Sequence, residues 1–124
     1  LADDEMEIGI GIHGEPGSHR EKMRPANEIA KMLVDQILAD LDYKGHEVVV
    51  LINGMGGTPL LELYIVNNFV QDSLKAQGIS VYEPLDGNYM TSIEMAGFSI
   101  TLLRLDDEMK ALYDAPADTL AWKK

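Results

Sequence analysis

The sequence runs to 124 residues, 46% of them apolar, with a formal net charge of −11 and no cysteine. That length suits one domain with one core, and the apolar share excludes a disordered chain. The acidity argues against unassisted binding to nucleic acid or to an anionic membrane surface. The missing cysteines exclude disulfides, thiolate catalysis and cysteine-ligated metals. No apolar run reaches the length of a membrane span and no signal peptide opens the chain, so a reducing cytoplasm is the expected compartment.

After an acidic lead-in (Asp3, Asp4, Glu5, Glu7), the first strand is predicted over Met6 to Ile12. It carries Gly9 and Gly11 on alternate positions and runs into His13-Gly14-Glu15-Pro16-Gly17. Glycines weaken a strand and often mark the close approach of a ligand or of another backbone. Gly14 to Gly17 force a turn directly after His13. A lone histidine at a strand end is most simply a hydrogen-bonded structural residue, and the pattern leaves base, ligand and nucleophile open. Glu15 to Arg24 reads as a polar loop holding the most basic patch of the chain, either solvated or facing a phosphate or an acidic partner.

A helix is expected from Pro25 to Leu41, with Ile29, Met32, Leu33, Gln36, Ile37 and Leu41 as its inward stripe. Gly45 suits a left-handed stop, and His46 is read as a surface residue. Glu47 to Ile52 is apolar on both faces, the mark of a central, parallel strand covered on both sides. The Asn53 to Pro59 stretch that follows is glycine-rich. Its bland reading is a tight turn, and its functional reading is a phosphate-binding loop, although neither the P-loop nor the dinucleotide spacing is met. Thr58 is expected to cap the next helix, with Pro59 at its first position, and the helix to run to Ala76 and stop at Gly78. That helix is so apolar that it needs cover on more than one side, and Asn67 and Asn68 need partners if buried.

Ile79 to Glu83 reads as a third strand and Pro84 to Asn88 as a loop. Tyr89 to Ala96 reads as a short helix closed by Gly97. Phe98 to Leu105 is the fourth strand. Asp106-Asp107-Glu108 starts a short helix to Tyr113, where acidic groups face the positive end of the dipole. The tail from Asp114 to Lys124 is expected to dock through Leu120 and Trp122. This alternation predicts an α/β fold: a mixed sheet of about four strands with helices packed on it. In such folds ligand groups lie beyond the carboxyl ends of strands, which would bring His13 and the Asn53 to Gly57 loop to one edge.

Four separate segments resemble one family. Ile10-Gly11-Ile12-His13-Gly14-Glu15-Pro16-Gly17 is similar to the substrate-histidine segment of the K subunit of dihydroxyacetone kinases. Asn53-Gly54-Met55-Gly56-Gly57-Thr58-Pro59-Leu60-Leu61-Glu62-Leu63-Tyr64, Gly87-Asn88-Tyr89-Met90-Thr91-Ser92 and Met95-Ala96-Gly97-Phe98-Ser99-Ile100-Thr101-Leu102 resemble the same family. The resemblance implies that residues 1–124 are the C-terminal α/β domain of such a subunit. An N-terminal domain carrying the acid–base residues would be absent from this chain. It implies that His13 binds dihydroxyacetone (glycerone) covalently as a hemiaminal. The phosphoryl group would then come from ADP or ATP with magnesium on a partner L subunit recharged by a phosphocarrier, so this chain itself would bind no cofactor and no metal. The separate-subunit, phosphotransferase-dependent type is favoured, because the chain has no room for a fused L domain.

The resemblance also implies a homodimer. K-like proteins that act as transcriptional co-activators are the alternative function, and a structural domain without a ligand is the third. The nucleophile reading of His13 draws on three further points: its place after a strand, flanking glycines that leave room for a small sugar, and no cluster of ligating side chains around it for a metal.

Overall fold

The computed structural model describes all 124 residues. Strand β1 (Glu5–Ile8) pairs antiparallel with β2 (His19–Lys22). Helix α1 (Ala26–Asp40) leads to β3 (Glu47–Gly56), and α2 (Leu60–Ala76) to β4 (Ser80–Gly87). Then come β5 (Ala96–Leu105) and α3 (Asp107–Tyr113). The mixed α/β class holds, with a different division of strands. A three-stranded sheet of order β4-β3-β5 stands beside the separate β1-β2 hairpin.

Strand β3 is the centre, parallel to β4 and antiparallel to β5. Val48, Val50 and Ile52 share one face and are fully buried beneath both long helices. Leu63, Val66, Val70 and Leu74 of α2 meet them there, with Ala30 and Val34 of α1. Val49, on the other face, is also buried, so covering on both sides is observed. Val81 packs into the helix-side core and Tyr82 alternates to the opposite face, where it meets Tyr113 edge-on at 6.4 Å. Trp122 joins this second layer, 6.0 Å from both Tyr89 and Tyr113. Burial there pushes the Tyr113 hydroxyl up to about 12.

Several sequence expectations are corrected. The inward stripe of α1 centres on Ala30 and Val34, whereas Leu41 is exposed. The small Ala30 and β-branched Val34 are fully buried, and the larger Ile37 and Leu38 pack partly buried against the same core. Thr58 does not cap α2. Pro59 holds the cap position without a side-chain bond, and the Thr58 hydroxyl donates to the Gly97 carbonyl at 2.8 Å. Pro84 to Gly87 is strand, because pairing with β3 continues to Asn53↔Gly87. The tail docks through Trp122 and through Lys124, which bridges Glu83 at 2.8 Å and Asp114 at 3.1 Å, while Leu120 is fully exposed. Gly45 and Gly78 take positive φ of 76° and 75°, as expected of helix stops, and His46 is on the surface.

Asn67, 5% exposed on α2, does have partners. Its amide donates to Asp86 Oδ2 at 2.6 Å and its oxygen accepts from Gln71 at 3.2 Å. Asp86 Oδ1 has no hydrogen-bond partner. Desolvation raises the Asp86 carboxyl above its ordinary range, and the Asn67 amide offsets this in part. A folded-state pKa above the unfolded one means that the native protein binds the extra proton between the two values. The ionised carboxyl therefore costs stability above its folded pKa, and acidification relieves that cost. Asp86→Asn should lose this response. Urea unfolding of parent and variant at pH 7 and at about pH 4 should show the parent gaining on the variant as pH falls. An equal difference at both values would show that the carboxyl is unshifted.

Candidate functional site

The glycine-rich stretch after Ile52 is a continuation of β3. Its residues pair with β5 up to Gly56↔Ala96. The glycines are there for close approach. A Cβ on Gly54 would stand 2.3 Å from Asn88 Oδ1 and 2.9 Å from Leu63 Cδ1. One on Gly56, at φ 65°, would stand 2.0 Å from the Met95 carbonyl oxygen. The close packing expected of the stretch is found, but the tight turn is not: Asn53 to Gly56 are strand. The phosphate reading loses its donors, since Gly56 N–H is taken by Thr91 Oγ1 at 2.9 Å and Gly57 N–H by the Met95 carbonyl at 2.6 Å.

These bonds pin residues 88–95 against the end of β3. No helix forms there, contrary to expectation, because the backbone groups of this segment bond to β3. Asn53 is the principal clamp. It is 4% exposed; its oxygen accepts the N–H groups of Tyr89 at 2.9 Å and Met90 at 2.8 Å, and its amide donates to the Met90 carbonyl at 2.7 Å. By sequence alone Asn53 reads as a loop residue. A polar residue ending an otherwise apolar strand was the available signal.

The hairpin forms the facing wall. Its β2 strand lies in the stretch expected to be a polar loop, and the basic patch is neutralised. Arg20 pairs with Glu7 at 3.1 Å, Lys22 with Asp4 at 2.5 Å and Arg24 with Glu21 at 2.5 Å. Glu7 also accepts the Gly17 N–H at 2.9 Å. That backbone bond, with Arg20 beside it, holds the Glu7 carboxyl below the usual carboxylate range. A Cβ on Gly17 would meet the Ile8 carbonyl oxygen at 2.4 Å, which is why the loop can close so tightly.

Between the two walls lies a cleft of about 130 Å³. Ile10, Gly11 and Ile12 line it from the hairpin, and Asn53, Met55 and Ser99 from the sheet. Met90, Thr91, Ser92 and Met95 close it. Of the expected meeting of His13 with the end of the central strand, the residues just before it, Ile10 to Ile12, reach that end, through the hairpin loop and not at an edge of the main sheet. His13 itself does not line the cleft; it follows Ile12 in the chain, and its side chain is 86% exposed. Its Nδ1 lies 3.6 Å from Glu15 Oε1. The space beside Gly11 is filled by Glu15, while nothing lies within 4 Å of a Cβ built on Gly14. Of the two glycines expected to leave room for a sugar, only Gly14 leaves it open. A wider groove of about 380 Å³ along α1, between Arg24 and Gln36, is open and lined almost wholly by polar residues, and it touches none of these segments.

The architecture is an α/β module in which a hairpin loop and a strand end enclose a small cleft. The chain belongs to the Dak1 domain family, whose model matches residues 1–121. It is 51% identical over 124 residues to the dihydroxyacetone-binding subunit DhaK of PTS-dependent dihydroxyacetone kinase 1 from Listeria innocua, covering 98% of this chain and 38% of that protein. Among solved structures it superposes on a dihydroxyacetone kinase operon co-activator, DhaQ, with a TM-score of 0.83 at 38% identity. That match covers 94% of this chain and 37% of the co-activator. The dihydroxyacetone kinase of C. freundii matches with a TM-score of 0.78 at 27% identity, covering 98% of this chain and 22% of the kinase. The chain thus spans about two fifths or less of the length of these relatives.

Asn53→Ala would remove three hydrogen bonds to one loop at once. The expected loss is about 2–3 kcal/mol of stability. Amide exchange at Tyr89 and Met90 should accelerate, while the β3–β5 ladder from Glu47 to Ile52 stays protected. Unchanged exchange at those two amides would show that the clamp is dispensable.

Proposed function

We propose that this chain is the His13-bearing domain of a dihydroxyacetone-binding subunit, serving a phosphoenolpyruvate-phosphotransferase-dependent dihydroxyacetone kinase in the cytoplasm. The observation that carries the proposal is the convergence of the His13 loop, the end of β3 and residues 88–95 on one small cleft. The 51% identity to a dihydroxyacetone-binding subunit supports it. The part of the cleft held in this chain, about 130 Å³, is small beside the ~300–1,000 Å³ typical of drug-sized ligand sites, and a three-carbon sugar suits that scale. The nucleotide, ADP or ATP with magnesium, belongs to the partner L subunit in this reading. Acid–base groups come from the N-terminal part of the intact protein.

His13 acts as a nucleophile. A ring nitrogen's lone pair adds to the ketone carbon, a C–N bond forms, and the carbonyl π bond breaks onto oxygen. The oxygen gains a proton and the ring loses its N–H proton, leaving a neutral hemiaminal. Such a bond separates ketones and aldehydes from polyols such as glycerol more sharply than shape alone. The high exposure of His13, one residue beyond the cleft-lining Ile12, suits an anchor that reaches into a pocket completed by other parts of the intact protein.

A second reading has its own support. The likeness to a solved co-activator at 38% identity favours a dihydroxyacetone-binding regulator that transfers no phosphate. Native mass spectrometry of the intact protein with dihydroxyacetone should show the mass of one sugar added. His13→Ala should abolish the adduct, and His19→Ala and His46→Ala should leave it. An adduct that survives His13→Ala would refute the assignment. Phosphoryl transfer in the presence of L and phosphocarrier subunits then separates kinase from co-activator, since a protein that forms the adduct but passes no phosphate is the latter.

The reading includes a homodimer or larger assembly. Leu60, Leu61, Tyr64 and Ile65 lie exposed on the outer side of α2, between 46% and 69%. An apolar patch of this kind marks an interaction surface more often than bare protein. Light scattering of the intact protein should give at least a dimer mass; a monomer at high concentration would refute this part.

A further inference from the structure

Glu15 makes two contacts with the residue two places before it. Its Oε2 accepts the His13 backbone N–H at 3.0 Å, and its Oε1 faces the His13 ring at Nδ1, 3.6 Å away. The carboxylate reaches this position because Gly11 has no side chain. A Cβ on Gly11 would lie 1.9 Å from Glu15 Oε2 and 2.6 Å from Glu15 Cβ. The backbone sets the same geometry, since Gly11 N–H donates to the Glu15 carbonyl at 2.9 Å and Gly14 N–H to the Gly11 carbonyl at 3.1 Å. Gly11 and Glu15 therefore fit closely together, and the seated carboxylate faces the ring of His13.

We propose that Glu15 is a positioning residue for His13: seated in the space that Gly11 leaves, its carboxylate holds the imidazole by the Nδ1 edge. This rests on His13 being the nucleophile. A neutral imidazole has one N–H and one lone pair, and an ionised carboxylate can only accept. A carboxylate beside Nδ1 draws the N–H to that nitrogen. The lone pair then sits on Nε2, on the far side of the ring from Glu15, free to meet a carbonyl carbon. When Nε2 adds to the ketone, the ring becomes positive, and Glu15 faces that charge until the Nδ1 proton leaves and the alkoxide oxygen takes one up. A nucleophile held by a third group is the arrangement on which covalent catalysis by side chains generally depends.

The competing account is that Glu15 only braces the turn through the His13 N–H. Two variants separate them. Glu15→Gln keeps an oxygen for the backbone bond but presents no charge to the ring. Gly11→Ala keeps the carboxylate and pushes it out of its seat. The ¹⁵N ring resonances of His13, recorded at alkaline pH where the ring is neutral, report which nitrogen carries the proton. The parent chain should show the Nδ1–H form, and both variants should shift toward Nε2–H, the form that free histidine favours. The loop is exposed, so thermal midpoints should move little. In the intact protein the affinity for dihydroxyacetone in the adduct assay should fall about tenfold in both variants. An unchanged tautomer in Glu15→Gln overturns the proposal whatever the adduct does, and so does a shifted tautomer with undiminished adduct. If the parent protein forms no adduct at all, the nucleophile reading of His13 fails and the proposed role falls with it, while the tautomer ratio still tells whether Glu15 orients the ring.

Discussion

The end of β3 is where packing and site become one constraint. The strand enters the sheet as a continuous apolar run, buried on both faces, and leaves it through Asn53, Gly54 and Gly56. An asparagine at 4% exposure needs partners for its oxygen and amide, and it finds them in the backbone of Tyr89 and Met90. The glycines then let that loop and α2 come within contact of the strand, where any Cβ would collide. The burial that stabilises the sheet thus fixes a loop that would otherwise have no regular structure. That loop is one wall of the cleft.

The opposite wall is built on another principle. The β1-β2 hairpin contributes little to the core beyond Ile8, and it is held by its own polar bonds. Glu7 joins the Gly17 N–H to Arg20, and Asp4 and Glu21 take up the neighbouring cations. Most of these groups are exposed, so each pair is worth little by itself. Their value is in orientation. The Glu7 bonds close the base of the Gly9 to Ser18 loop, the others brace the open end of the hairpin, and the loop presents Ile10, Gly11 and Ile12 to the cleft. One wall of the cleft is thus set by the packed sheet and the other by the local bonds of the hairpin.

Sequence and structure agree where a local rule decides. The apolar run of β3, the extent of α2, the left-handed glycines at 45 and 78 and the acidic start of α3 each follow from propensity and burial within a few residues, and each is found. The Asp106 side chain caps α3 by accepting the Met109 N–H at 2.8 Å. The family resemblance rests on the same short segments that the cleft brings together.

What the sequence determined by itself was composition-level and local: an α/β chain with one core, a central strand covered on both faces, and His13 singled out between glycines. What only the tertiary structure decided was long-range pairing. β2 hides in a stretch whose charges look like a loop, and it is a strand because β1 offers a partner for its backbone and opposite charges for its side chains. Residues 89–96 have apolar spacing that suits a helix, yet they form none because Asn53 and Gly57, more than thirty residues away, bond backbone groups a helix would need. Thr58 has the chemistry of a cap, but the Gly97 carbonyl across the sheet claims its hydroxyl. Each is a hydrogen bond between residues distant in sequence, and no local pattern records which distant partner a polar group will meet.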